Sequence, residues 1–369
     1  MDFSLTDEQT ALSELTGKIL ADHATLERLK AIEDSNESID REAWSKLSEA
    51  GLVGVSIPED HGGAGAGFVE VCLILEQIGR TVAHVPFLPT VVYGALPVAR
   101  FGTAEQKVRL LPGVADGSLL LTAALSELGA EPRSPTTTAT PIDGGFRLDG
   151  TKVAVPIAEQ AEAILVPASL EGGGVAVFLV EPHAAGVRLE AQETFNWETH
   201  YEVFLEGIVV PANARLGTDH DDVLGWMVDR ALTGLCAIAT GVARSAMQIT
   251  AEYAAERKQF DKPIATFQAV SQRMGDCFID NEAIQLTMWQ AATRLADEMP
   301  SDREIATAKF WAGDGGSRIG HAALHIHGGI SIDVDYPIQR YFLWAKQIEY
   351  TLGAGPSQLQ RLGAMIAAG

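Results

Sequence analysis

Asp143-Gly-Gly-Phe-Arg-Leu-Asp-Gly150 sets a short β-type run, Phe146–Leu148, between two turn pairs, and this punctuation decides the fold. It recurs over residues 118–215, where Leu119–Ala124, Ile164–Pro167, Val175–Val180 and Tyr201–Val210 are further β-type runs and Glu171-Gly-Gly-Gly174 is a further break. Such spacing predicts an antiparallel β module. Upstream, from Leu5 to about Leu110, apolar residues recur every three or four positions. Leu12, Leu15 and Ile19 form one stripe, and Val71, Ile74, Leu75 and Ile78 another, as amphipathic helices require. Between them, Ile57-Pro-Glu-Asp-His-Gly-Gly-Ala-Gly-Ala-Gly67 breaks the helical pattern. The texture changes near Pro112, and helical periodicity returns from about Asp222 to the end, interrupted around Pro300 and at Gly328-Gly329. The expected class is α+β: a helical domain over 1–115, a middle antiparallel β domain over 116–217 and a second helical domain over 218–369. No strand is followed by G-x-G-x-x-G, so a Rossmann nucleotide site is not expected.

The chain has 369 residues, of which 47% are hydrophobic, enough for two or three substructures. A formal charge of −22 repels nucleic acid and anionic membrane surfaces, so neither is an expected partner. Cys72, Cys236 and Cys277 lie far apart without C-x-x-C spacing, which fits buried thiols in a reducing cytoplasm. The start, Met1-Asp-Phe-Ser-Leu-Thr-Asp-Glu-Gln9, is acidic and reads as a capped helix, and no signal peptide is expected. No apolar run is expected to reach the roughly 20 residues of a membrane span, so the localisation expected is cytoplasmic.

Three stretches together resemble the acyl-CoA dehydrogenase family. They are Gly51-Leu-Val-Gly-Val-Ser-Ile-Pro-Glu-Asp-His-Gly-Gly-Ala-Gly65 with Glu76-Gln-Ile-Gly-Arg80; Tyr253-Ala-Ala-Glu-Arg-Lys-Gln-Phe-Asp-Lys-Pro-Ile-Ala-Thr-Phe-Gln268; and His325-Ile-His-Gly-Gly329 followed by Asp335-Tyr-Pro337 and Ala345-Lys346. They fall in family order along essentially the whole chain. The resemblance implies a bundle–barrel–bundle subunit, FAD, a tetramer built from dimers, α,β-dehydrogenation of an acyl-CoA, and electron-transfer flavoprotein as redox partner.

That reaction needs a carboxylate within reach of the α-carbon, donors to the flavin ring edge, and a surface that anchors the cofactor's phosphates and adenine. The resemblance assigns the anchoring surface to Arg257, Gln259, Phe260, Phe267 and Gln268, acting on the neighbouring subunit's FAD, and to His325, Ile326, His327, Gly328 and Gly329. Arg257 would give a charge-assisted bond to the pyrophosphate and Phe260 an apolar wall. The glycines would let the cofactor approach the backbone. The alternative is that Arg257 pairs with Glu256 or Asp261 on a solvated surface and the glycines end a helix.

At the ring cradle, Ser126-Glu-Leu-Gly-Ala-Glu-Pro132 and Ala154-Val-Pro156 stand where the family carries a Thr-Glu-Pro-x-Ala-Gly-Ser stretch and a Trp-Ile-Thr strand. Pro156 has no N–H or hydroxyl to offer, and Ala154 no aromatic face. The base is missing where the family places it. Counting from Ala345-Lys346 reaches Leu352, and counting back from Gln358-Leu-Gln-Arg361 reaches Ala354. Relatives with a base on the preceding helix would place it at Ala231. Asp229, the only candidate base, is about 200° away around such a helix. Glu349 reads as a surface or interface charge. His325 and His327 do not share a helix face, His321 and His325 read as packing or capping, Ser357 lacks a triad, and no metal site is expected.

An anchoring half with a degraded cradle and no base resembles the base-less subunit of the heterotetrameric acyl-CoA dehydrogenases of actinobacterial sterol catabolism, two of each subunit per assembly. A homologous catalytic subunit is then the expected partner, and a steroid side-chain CoA the expected substrate. A self-sufficient homomeric dehydrogenase using Asp229, and a flavin-free structural partner, stay open.

Overall fold

A computed structural model describes residues 3–35 and 37–368. The first helices are α1 (Asp7–His23), α2 (Leu26–Glu33), α3 (Arg41–Glu49), α4 (Phe68–Thr81), α5 (Leu96–Phe101) and α6 (Ala104–Ala115). Strands follow: β1 (Leu121–Ala123), β2 (Thr138–Ile142), β3 (Gly145–Pro156), β4 (Ala163–Leu170), β5 (Val175–Val180), β6 (Val187–Glu193), β7 (Thr199–Pro211) and β8 (Arg215–Leu216). The long helix α7 (Val223–Glu256), a hairpin of β9 (Lys258–Gln259) and β10 (Lys262–Pro263), then α8 (Gln268–Ala296), α9 (Asp302–His327), α10 (Ile338–Tyr350) and α11 (Gly355–Ala367) complete the chain. These elements fall into two compact units. One holds the residues up to Asp34, Phe68–His84 and everything from Leu232; the other holds Ser35–Gly67 and Val85–Ala231. Each draws on more than one of the three stretches separated above by composition.

In the first unit α4 packs on α1 and α8, and α9 is flanked by α8, α10 and α11. Thr6 caps α1, with a reciprocal bond from the Gln9 side chain, which fits the helix start expected there. The stripe expected on α1 is rotated: Thr16 and Leu20 are buried, while Leu15 is 44% exposed. On that face α1 meets Gln77 at Gly17, where a Cβ would lie 2.9 Å from the Gln77 Oε1. On α4 the expected Val71, Ile74, Leu75 and Ile78 are all buried.

Glycine also sets the distance between α4 and α7. A Cβ at Gly241 would sit 2.0 Å from the Glu76 carbonyl oxygen and 2.6 Å from the Arg80 nitrogen. Gly241→Ala would gain about 1 kcal/mol in helix propensity but meets backbone atoms that cannot swing aside. A net loss of about 2 kcal/mol is expected from overpacking, read as a lower urea midpoint at unchanged slope.

No membrane-span candidate was expected, yet α7 is long and apolar enough to cross a bilayer by composition. Its apolar window is 89% buried in protein, so that hydrophobicity goes into core packing.

The second unit is built around an eight-stranded sheet of order β6-β7-β3-β2-β4-β5-β8, with β1 added on β4. Most pairings are antiparallel, as expected, but β1 and β2 both run parallel to β4, so the sheet is mixed. The hydrogen-bonded order is an open path ending at β6 and β8 among the described residues. Alternation buries Val155, Ile164, Val166, Phe178, Tyr201, Val203 and Leu205 in one core. Ahead of the sheet, Leu88–Ala95 form a buried π-helical turn that runs into α5. Gly94 permits it, because a Cβ there would lie 2.3 Å from the Leu121 Cβ on β1.

Candidate functional site

The last turn of α7 hands directly to the hairpin. The Arg257 N–H donates to the Tyr253 carbonyl at 2.8 Å, and the Ile264 N–H to the Arg257 carbonyl at 2.8 Å. Phe260 and Asp261 form the two-residue turn with φ of 53° and 63°, the left-handed pair that a tight hairpin requires. At that tip Phe260 is 86% exposed, its ring edge-on to Phe267 at 6.3 Å. The Lys262 ammonium lies over the Phe267 ring at 4.9 Å. Arg257 is exposed, and among the described residues its guanidinium makes no ion pair; the alternative pairing with Glu256 or Asp261 is not formed. Gln259 is exposed and its amide donates to the Lys258 carbonyl at 2.8 Å. Gln268 is the exposed first residue of α8, whose N-terminus no side chain caps, leaving amide donors of the kind that favour phosphate.

The second expected segment ends α9. His325 is exposed, Ile326 half-buried and His327 buried. Gly328 has φ of 65°, which glycine adopts without strain, and a Cβ at Gly328 or Gly329 would meet nothing within 4 Å. His327 brings this segment to the end of α7. Its ring stacks on Tyr253, centroids 4.4 Å apart and planes at 22°, and the Tyr253 hydroxyl donates to the His327 carbonyl at 3.3 Å. Its Nδ1 faces the Ala323 carbonyl at 2.8 Å and its Nε2 the Tyr336 hydroxyl at 3.1 Å. A carbonyl only accepts, so Nδ1 carries the proton and Nε2 accepts from Tyr336. Burial lowers the pKa of His327, which favours that neutral form. Among the described residues no three metal-ligating side chains cluster.

In the second unit, Glu127 turns inward. Its carboxylate accepts from Lys152 Nζ at 2.6 Å, from the Thr136 N–H at 2.6 Å and from the Thr137 N–H. Lys152 also donates to the Pro167 carbonyl at 2.7 Å. Burial alone would raise the Glu127 pKa, but Lys152 and Thr136 win and hold it down to about 2. Burial also pushes Lys152 toward losing its proton; the carboxylate and the carbonyl, both acceptors, keep it an ammonium. The loop beyond carries Leu128, 91% exposed. A bulge on β3 between Lys152 and Val155 puts Ala154 at φ 52°, and its N–H donates to the Gln192 side chain at 3.1 Å. Pro156 has no N–H, so neither end of this short segment has a spare backbone donor.

Of the two positions counted above for a base, Leu352 and Ala354, neither is a carboxylate. Leu352 is buried in a left-handed turn (φ 57°) before Gly353 (φ 101°). The turn is held by the buried Lys309, whose ammonium donates to the carbonyls of Ile348 at 2.7 Å and of Glu349 and Gly353 at 3.2 Å. The Gln358 amide adds a bond to the Gly353 carbonyl at 3.2 Å. Burial draws the Lys309 pKa down to about 8. Glu349 pairs with Lys346 at 2.6 Å. Asp229 lies in unbroken α7, so no insertion brings it to the place of Ala231, and its carboxylate pairs with Arg133. A carboxylate stabilised by a guanidinium is a poor general base. Sequence reasoning missed Tyr336, Lys152 and Gln192. None of the three carried a visible signal: β3 around Lys152 also holds Arg147, Asp149 and Thr151, so the sequence does not single that lysine out.

Two family models match the chain: acyl-CoA dehydrogenase, N-terminal domain, over residues 6–118, and acyl-CoA dehydrogenase, C-terminal domain, over residues 225–367. The chain is 38% identical over 376 residues to acyl-CoA dehydrogenase FadE27 of Mycobacterium tuberculosis, covering 100% of this chain and 99% of that protein. Among solved structures, a variant of the Tcur3481–Tcur3483 steroid ACAD is 45% identical with a TM-score of 0.93, covering 98% of each chain. The ChsE4–ChsE5 complex from Mycobacterium tuberculosis is 38% identical with a TM-score of 0.95, covering 100% of each. The chain therefore belongs to the acyl-CoA dehydrogenase family of oxidoreductases. Members of this family bind FAD. The donor set around Arg257, the start of α8 and the open glycine turn suits the phosphate and adenine end of that cofactor. The segments around Ala154 and Pro156 do not suit its ring.

Proposed function

We propose that this chain is the non-catalytic subunit of a heteromeric acyl-CoA dehydrogenase, completing the FAD site of a homologous catalytic partner. The observation that carries the reading is the loop around Leu352: neither the buried Leu352 nor Ala354, the two places counted for the family's base, offers a carboxylate, and Lys309 and Gln358 hold the loop's carbonyls instead. FAD, when bound, supplies the hydride acceptor. In this chain Arg257 and the first amides of α8 hold the pyrophosphate, Phe260 shields the adenosine end from water, and Gly328-Gly329 leave room for it. The partner provides the ring contacts and the base. The steroid ACAD and ChsE4–ChsE5 likenesses support a heterotetramer and an acyl-CoA with a bulky steroid side chain. Electron-transfer flavoprotein is the proposed acceptor. The ion pair at Asp229 speaks against a homomeric enzyme that uses it as base.

The test is flavin absorbance per chain, for the chain purified alone and after co-expression with a homologous subunit. A colourless lone chain and a yellow complex with about one FAD per pair of chains are expected. A yellow lone chain with one FAD per subunit would overturn the proposal. In the complex, Arg257→Ala removes a charge-assisted bond of about 1.5–3 kcal/mol, so FAD affinity should fall about 10- to 100-fold. Unchanged flavin content would instead favour a purely structural subunit.

A further inference from the structure

We infer that His327 is a positioning residue that, through Tyr253 and Tyr336, fixes the Arg257 hairpin and the Gly328-Gly329 turn on one surface. The inference rests on the cofactor-anchoring reading above. It assigns His327 a role other than contact, because its ring is buried and both nitrogens are engaged within the protein.

The geometry makes a continuous chain of constraints. Ala323, one turn back on α9, sets the ring orientation through Nδ1. The ring face then fixes Tyr253, whose hydroxyl returns to the His327 carbonyl. The Tyr253 carbonyl accepts the Arg257 N–H, and the Arg257 carbonyl accepts the Ile264 N–H across the base of the hairpin. On the other side, Nε2 holds Tyr336, which closes the segment that begins at Gly328. Without the stack, the last turn of α7 is free to fray, since helix ends carry unsatisfied groups. The guanidinium would then sample many positions, and binding would have to order it again. Tyr253 and Tyr336 are thus coupled to cofactor retention without touching the cofactor.

The experiment uses the full chain in its flavin-containing complex and measures the FAD dissociation constant together with amide exchange at Lys258–Lys262. Tyr336→Phe and His327→Asn, which keeps a donor for the Ala323 carbonyl but loses the acceptor for Tyr336, should each weaken FAD several-fold and speed hairpin exchange. The double variant should be no worse than His327→Asn alone, which already loses the Tyr336 bond together with the Tyr253 stack. Tyr253→Phe, which keeps the stack but loses the hydroxyl bond to the His327 carbonyl, should lose less FAD affinity than Tyr253→Leu, which loses both. Thermal midpoints should move little in Tyr336→Phe, which separates positioning from general unfolding. Wild-type FAD affinity and hairpin exchange in His327→Asn and Tyr253→Leu, with Arg257→Ala still losing FAD, would overturn this role and leave the anchoring reading intact. No loss in Arg257→Ala would overturn both.

Discussion

Lys152→Met is expected to destabilise the sheet unit by about 3–5 kcal/mol, because it leaves the Glu127 carboxylate buried without its counter-charge. The lowered carboxyl pKa points the same way: burial would raise it, and Lys152 with Thr136 and Thr137 holds it down to about 2 instead. The expected loss lowers the thermal midpoint by about 10 °C. The sign with pH follows from the same shift. The native carboxyl binds its proton less readily than the unfolded one, so its contribution is full above about pH 4.5 and is lost as pH falls toward about 2. Wild type should therefore lose stability steeply across that window, and Lys152→Met more shallowly. Pairing Lys152→Met with Glu127→Gln should recover part of the loss, since the uncompensated charge goes. A midpoint unchanged in the single variant would mean that water reaches Glu127.

Arg340→Met should have a comparable effect in the helical unit. Its guanidinium is buried and donates to both Glu33 oxygens, at 2.6 and 2.5 Å, and to the Val334 carbonyl at 3.0 Å. Removing it strands the Glu33 carboxylate and frees a carbonyl, which predicts a loss of about 3–5 kcal/mol. Arg340→Lys should keep the charge but not the forked geometry, and recover only part. The exposed Lys46–Glu49 pair is the contrast: Lys46→Ala should leave the denaturation midpoint close to that of wild type.

Much of the architecture was legible because periodicity and punctuation agree. Strands β4, β5 and β7 fall on the apolar runs expected for them, and Cys72, Cys236 and Cys277 are all buried and outside any disulfide. Strands β2 and β6 were not legible. Thr138–Ile142 is short and carries Pro141, while Val187–Glu193 is largely exposed and charged, so neither shows apolar alternation. The parallel pairing of β1 and β2 with β4 depends on contacts distant in sequence, which no local pattern records. At the site, residue types pointed to Arg257 and Gly328-Gly329, but not to the inward-facing ring of His327. A histidine beside glycines reads the same whether its ring faces a ligand or a tyrosine.

The left-handed turn at Leu352 bears on what that position can carry. A non-glycine residue held there costs about 1–2 kcal/mol, and Lys309 and Gln358 sustain it through backbone carbonyls alone. The backbone is thus held whatever side chain the turn presents, while the Leu352 side chain itself is buried. On the proposed reading, a carboxylate can be lost here without disturbing the loop. The return is the harder direction, because a carboxylate put back at this point would have to leave water.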